Sequence, residues 1–225
     1  NQGTVYAIYA IFDHNHIGMH FDNGSYISTP PTTSEGLSAA EFRCSGGEIK
    51  LPPFAGEPSN THILLEDVDE IRIGGIDITN STGTISFSDA VYGIRSINSN
   101  FSLFNSEFDR MQNFSDVHPC FTCGAGIYAE NTTTGSFEMK IGTKNGLTST
   151  FLKNTFMNSK IGIFAKGNFV LDIDENNFED LVTGIRSNRN NSIITIQDNN
   201  FERVNNGVIV FNSRGNMKIN DNTFT

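Results

Sequence analysis

In "LDIDENNF" (171–178) and "ITIQDNNF" (194–201), apolar and polar residues alternate, then give way to Asn, one variable residue and Phe. Alternation of period two marks strands with one buried face. The Asn-x-Phe step returns at Asn154/Phe156, Asn176/Phe178, Asn199/Phe201 and Asn222/Phe224, so the phenylalanines are 22, 23 and 23 residues apart. Phe87 and Phe108 extend the series upstream. A second marker, Gly followed by Ile or Val, recurs at Gly93, Gly126, Gly162, Gly184 and Gly207. Further columns align Phe151, Ile173, Ile196 and Ile219, and also Leu171, Ile194 and Met217. Short strands repeating at this period cannot each bury a face alone. Stacking coil upon coil gives parallel ladders and one continuous core, with equivalent residues about 4.8 Å apart.

This predicts an all-β fold, a parallel β-helix (solenoid) with coils of 22–23 residues. Phe87, Phe108, Phe156, Phe178, Phe201 and Phe224 form an inward row. Asn154, Asn176, Asn199 and Asn222 form a hydrogen-bonded ladder at a turn, and the glycines supply backbone freedom at another corner. The 48 residues from Phe108 to Phe156 accommodate one period plus two insertions, placed at 112–125 and 131–146. Residues 61–225 are assigned to the repeat, clearest from 87 and expected to continue beyond 225. Residues 1–60 are read as earlier coils or a cap with an irregular segment, since five of the six prolines fall between 30 and 58.

"GIFAKGNFVLDIDENNF", "GIRSNRNNSIITIQDNNF" and "GVIVFNSRGNMKINDNTF" resemble coils of right-handed parallel β-helix proteins of the pectate-lyase-like type. The resemblance covers 87–225 well. It implies the handedness of the coil and a secreted or cell-surface setting, but no activity, because such repeats host many functions.

Composition narrows the partners. A net charge of −10, with basic residues scattered singly, argues against nucleic acid. No apolar run is long enough for membrane insertion by a helix. Glycans or other surface proteins are the expected partners, with a homo-oligomer or filament as a further expectation.

Candidate chemistry is sparse. Asp172 and Asp174 alternate outward on one strand, as carboxylates serving metal or acid–base chemistry would. Alignment on Phe151 places Thr150 and Leu152 beside them on one side, and Thr195 and Gln197 on the other. The same stretch has Asp172, Asp174 and Asn176 at calcium-loop spacing, yet Asn177 and Thr183 replace the Gly and Glu such a loop requires, which leaves calcium a minor expectation. His14, His16 and His20 are read as exposed edge histidines, with a zinc or copper site as the alternative because they stand close in sequence. Cys120 and Cys123, beside His118, suit a disulfide, free thiols or, with Cys44, a zinc site. Glu130, Glu138, Lys140 and His118 are the groups the insertions could contribute. Sequons occur at Asn23, Asn80, Asn100, Asn113, Asn131 and Asn190. With no cofactor site or catalytic cluster evident, the expectation is a non-catalytic stalk, fibre or adhesin segment. The alternative is a polysaccharide lyase, glycoside hydrolase or glycan-binding module.

Overall fold

The computed structural model describes residues 7–8, 11–13, 17–26, 37–38, 41–43, 61–74, 84–112, 123–142 and 153–225. Among them there is no helix; all regular structure is β, in curled sheets of parallel strands. Strands β1 (Ala7–Ile8) and β4 (Leu37–Ser38) pair with each other. All the others belong to two sheets.

The first sheet has eight strands: β2 (Ile11–Asp13), β5 (Glu41–Arg43), β7 (Ile85–Ser88), β10 (Ser106–Asp109), β13 (Thr155–Met157), β16 (Asn177–Glu179), β19 (Asn200–Glu202) and β22 (Thr223–Phe224). The second sheet has two limbs joined by the long strand β6 (Thr61–Ile73). One limb, the broad face, holds β3 (Ile17–Tyr26), the start of β6, β8 (Tyr92–Ile97), β11 (Ala125–Glu130), β14 (Ile161–Lys166), β17 (Thr183–Asn188) and β20 (Asn206–Phe211). The other, the side face, holds the end of β6, β9 (Phe101–Leu103), β12 (Phe137–Gly142), β15 (Phe169–Asp174), β18 (Ile194–Gln197) and β21 (Met217–Asn220). The chain visits broad face, side face and eight-stranded sheet in turn, then pairs in parallel with its own previous coil.

Phenylalanine fixes the register. Phe87, Phe108, Phe156, Phe178, Phe201 and Phe224 stand opposite one another strand by strand. Their rings stack at 4.6–5.1 Å between centroids. The first five are at most 1% exposed, whereas Phe224 on the last coil is 57% exposed. The column begins earlier than the repeat spacing suggests, because Phe12 pairs with Phe42 and Phe42 with Phe87 at the backbone level. Those two were hidden by intervals of 30 and 45 residues between positions 12, 42 and 87.

The asparagines bridge consecutive coils. Asn154 donates Nδ2–H to Asn176 Oδ1 (2.9 Å), Asn176 to Asn199 (3.0 Å) and Asn199 to Asn222 (3.0 Å). Asn154, Asn199 and Asn222 Oδ1 also receive a backbone N–H from the preceding coil, donated by Ser106 (3.0 Å), Asn176 (2.9 Å) and Asn199 (3.0 Å). The remaining amide capacity is spent on carbonyls, for Asn176 those of Ile141 and Asp174. Asn154, Asn176 and Asn199 are at most 1% exposed, so these bonds answer polar groups that water cannot reach.

Two expectations need correction. The glycine column does not make corners: Gly93, Gly126, Gly162, Gly184 and Gly207 lie within or beside the broad-face strands and are not among the positive-φ residues. Their role is space. A Cβ at Gly184 would stand 2.6 Å from Phe201 Cε1 and 2.7 Å from the Gly207 carbonyl oxygen, and the other four face their phenylalanines at 2.3–2.8 Å. The left-handed corners are made instead by Asp89, Arg110, Asn158, Asp180 and Arg203 after the phenylalanines, and by Asn105, Glu175, Asp198 and Asp221 before them.

The second correction concerns the insertion placed at 131–146. Residues 137–142 are strand β12, with Met139 and Ile141 fully buried. Ile141, not Phe151, stands opposite Ile173. "FEMKIG" carries the alternation of a coil strand, but the later Phe151 offered a more conspicuous anchor and drew the alignment past it. Phe151 itself, and residues 143–146 of that insertion, lie outside the described residues.

Candidate functional site

The corrected register changes the surroundings of the acid pair. Asp172 lies between Lys140 and Thr195, and Asp174 between Gly142 and Gln197. Thr150 and Leu152, the expected neighbours, lie outside the described residues. Asp174 is only 5% exposed. Its Oδ2 accepts a hydrogen bond from Gln197 Nε2 at 3.2 Å, while Oδ1 finds no hydrogen-bond partner among the described residues. Burial raises the Asp174 carboxyl above the ordinary carboxylate range against the opposing Gln197 bond, helped by the negative charges of Glu175, Asp198 and Asp172.

Further along the side face, Asp69, Glu70, Asn100, Ser102, Glu138 and Lys140 line a shallow cleft of about 240 Å³. Asn100 organises it: Nδ2 donates to the Asp69 carbonyl at 2.7 Å, and Oδ1 accepts the Glu138 N–H at 2.6 Å. Lys140 pairs with Glu138 on its own strand at 2.9 Å. Glu70 was not singled out by sequence, because "EDVDEIRI" shows no marker of the repeat. Pairing of Ile71 with Phe101, and of Phe101 with Met139, brings it there.

On the broad face several outward residues are apolar, three of them aromatic. Val91, Tyr92, Ala125, Tyr128, Ile161 and Phe164 make a second apolar cluster, outside the coil, each at most 8% exposed. Tyr128 and Phe164 meet edge to face at 5.6 Å. The Arg186 guanidinium lies 5.0 Å from the Phe164 ring centre and 5.3 Å from that of Phe211. Glu130 stands beside this cluster, accepting from Tyr128 Oη (2.8 Å) and Lys166 Nζ (2.5 Å). Burial alone would raise Glu130; the bonds from Lys166 and Tyr128 outweigh it and hold the carboxyl below its ordinary value. Burial, then the bond to Glu130, pushes the Tyr128 phenol well above its ordinary value.

The other candidates separate. His20 is exposed and lies 2.8 Å from Glu66, while His14 and His16 fall outside the described residues. Cys123 is disulfide-bonded, with its sulfur 3.7 Å from Tyr92 Oη; Cys120, Cys44 and His118 fall outside the described residues. Among the sequons, Asn100, Asn131 and Asn190 spend their side chains on internal hydrogen bonds, whereas Asn23 is exposed. Asn80 and Asn113 are not described. Among the described residues, no three His, Cys, Asp or Glu side chains come together closely enough to hold a metal ion.

Comparison of the chain with protein-family models, with curated proteins and with solved structures returned no match.

Proposed function

We propose that this chain is a stretch of right-handed parallel β-helix that binds or bridges rather than catalyses, as a stalk, fibre or adhesin segment of a secreted or cell-surface protein. Handedness follows from connectivity, because crossovers between parallel strands of one sheet are right-handed in nearly all known cases. The observation that carries the reading is how the titratable groups are disposed. Catalytic sites gather several such groups within hydrogen-bond reach. Here Glu138 is taken up by Lys140, Glu130 by Lys166, Asp89 and Asp109 by Arg110, and Glu179, Asp180 and Glu202 by Arg203, so these carboxylates are neutralised by a cation rather than left for acid–base work. The interior is spent on the Phe and Asn ladders, which build a long, regular scaffold.

Affinity electrophoresis through gels containing acidic and neutral glycans tests this role. Retardation with the glycan left intact supports a binding surface, and shortened glycan contradicts the reading.

A second reading, a carbohydrate-active enzyme on the same scaffold, draws support from the side-face cleft. Glu70 and Glu138 sit about 10 Å apart by coil spacing, with Asn100 between them, near the wider separation used by inverting glycosidases. Under that reading, Glu138→Gln abolishes turnover while leaving the fold intact.

A further inference from the structure

In the glycine column one coil departs from the rule. Thr61 pairs with Tyr92 and Ile63 with Ile94, so His62 occupies the position held by Gly93 on the next coil. On the preceding coil the position is Gly18, between the pairs Ile17–Thr61 and Met19–Ile63. At Gly93, Gly126, Gly162, Gly184 and Gly207 the glycine leaves room for a phenylalanine ring. His62 fills the room with an imidazole and is 0% exposed.

Its neighbours show the consequence. The His62 ring centre is 5.9 Å from that of Phe87, at a tilt of 38°. Phe87 and Phe108 are inclined by 14°, whereas the other four stacked pairs are inclined by 6–8°. The ladder is therefore least regular where the histidine enters. Nε2–H donates to the Ser88 carbonyl at 2.9 Å, tying β6 to the end of β7 within one coil.

We infer that His62 makes the coil of β6 and β7 an acid-sensitive joint, which holds the N-terminal coils to the rest of the stack when the imidazole is neutral and releases them when it is protonated. Among the described residues, the charge that acts on an imidazolium here is that of Asp89. From β3 and β8 the facing residues are Gly18 and Gly93. From the corner after β7 comes Asp89, whose charge acts on His62, but two hydrogen bonds from Arg110 (2.7 and 2.8 Å) already engage that carboxylate. Burial is the largest influence and lowers the His62 pKa from 6.5 to about 4, against the raising effects of the Ser88 bond and Asp89.

The sign follows from proton linkage. The opened coil takes up a proton near the ordinary histidine pKa, while the closed coil resists until about pH 4. Opening is therefore disfavoured above the ordinary value and promoted progressively as pH falls through this window. The shift corresponds to an increase in the opening equilibrium on the order of 100-fold between pH 7 and pH 4.

Hydrogen-exchange protection factors for β6 and β7 test the joint at both pH values, in the wild-type chain and in His62→Gly, which restores the residue used on neighbouring coils. The expected result is a loss of protection of that order in wild type, a much smaller change in β16 and β19, and little pH dependence of β6 in the variant. Equal losses across all coils, or an unchanged pH response in His62→Gly, would overturn the inference. Should the variant fail to fold, an NMR titration of the wild-type ring decides: an imidazole titrating near its ordinary value in the folded chain contradicts the joint.

Discussion

Asn176 Nδ2 lies 3.0 Å from Asn199 Oδ1, one coil further on, and both residues are at most 1% exposed. Asn176 also bonds the Ile141 and Asp174 carbonyls and accepts from Asn154, so one side chain ties three coils together. Replacing it with Ala leaves several buried polar groups unmet. At about 1–3 kcal/mol for each such group, the loss should reach several kcal/mol. Urea denaturation measures it; a loss below about 1 kcal/mol would show that water or relaxation replaces the ladder.

Phe178 sits between Phe156 (5.1 Å) and Phe201 (4.7 Å) and is 0% exposed. Phe178→Ala should cost about 3–5 kcal/mol, through lost burial and the cavity left behind. Phe224→Ala, on the exposed last coil, should cost much less. Equal losses at both sites would contradict the role of burial.

The glycine column makes a prediction of opposite kind, in which adding one methyl group destabilises. At Gly184 the Cβ would meet a backbone oxygen at 2.7 Å as well as the Phe201 ring, so neither neighbour yields cheaply. Gly184→Ala should cost at least the roughly 1–3 kcal/mol of an overpacked core. Gly135→Ala, where the nearest atom is the Thr133 hydroxyl at 3.6 Å, is the control and should be near neutral. Thermal melts of the two variants compare them directly.

How much of this was legible beforehand depended on how each feature is written in the chain. The Phe row and Asn ladder could be read because equivalent positions in stacked coils carry the same residue at a fixed interval. The same logic misled where the interval broke. Phe12 and Phe42 lacked the spacing, Phe151 displaced Ile141, and the neighbours of Asp172 were consequently misassigned. Glycine was read as a corner residue because its conformational freedom is its commoner use, whereas here its missing side chain matters. The cluster around Glu130 had no signature in sequence at all. Tyr128, Lys166 and Arg186 lie on three different coils, and only the strand pairing brings them together.

Asp174 supplies a prediction about pH. Its carboxyl is raised, chiefly by burial, so the neutral form is the one the folded state favours. The associated stability is present below the ordinary carboxylate pKa and is lost as pH rises through the higher folded value. At neutral pH, Asp174→Asn should therefore be more stable than wild type, with the difference shrinking in acid. Denaturant midpoints between pH 3 and pH 7 read this out, and a variant less stable than wild type at pH 7 would point to a favourable charge interaction instead.

The central claim, that this scaffold binds or bridges and does not catalyse, meets its most direct test in turnover. The intact chain is incubated with polygalacturonate, alginate and related glycans, with and without calcium, while unsaturated products and reducing ends are followed. The account predicts no product above the uncatalysed background under either condition. Robust cleavage that disappears in Asp172→Asn/Asp174→Asn or in Glu138→Gln, with folding preserved, would contradict it and identify the side face as an active site.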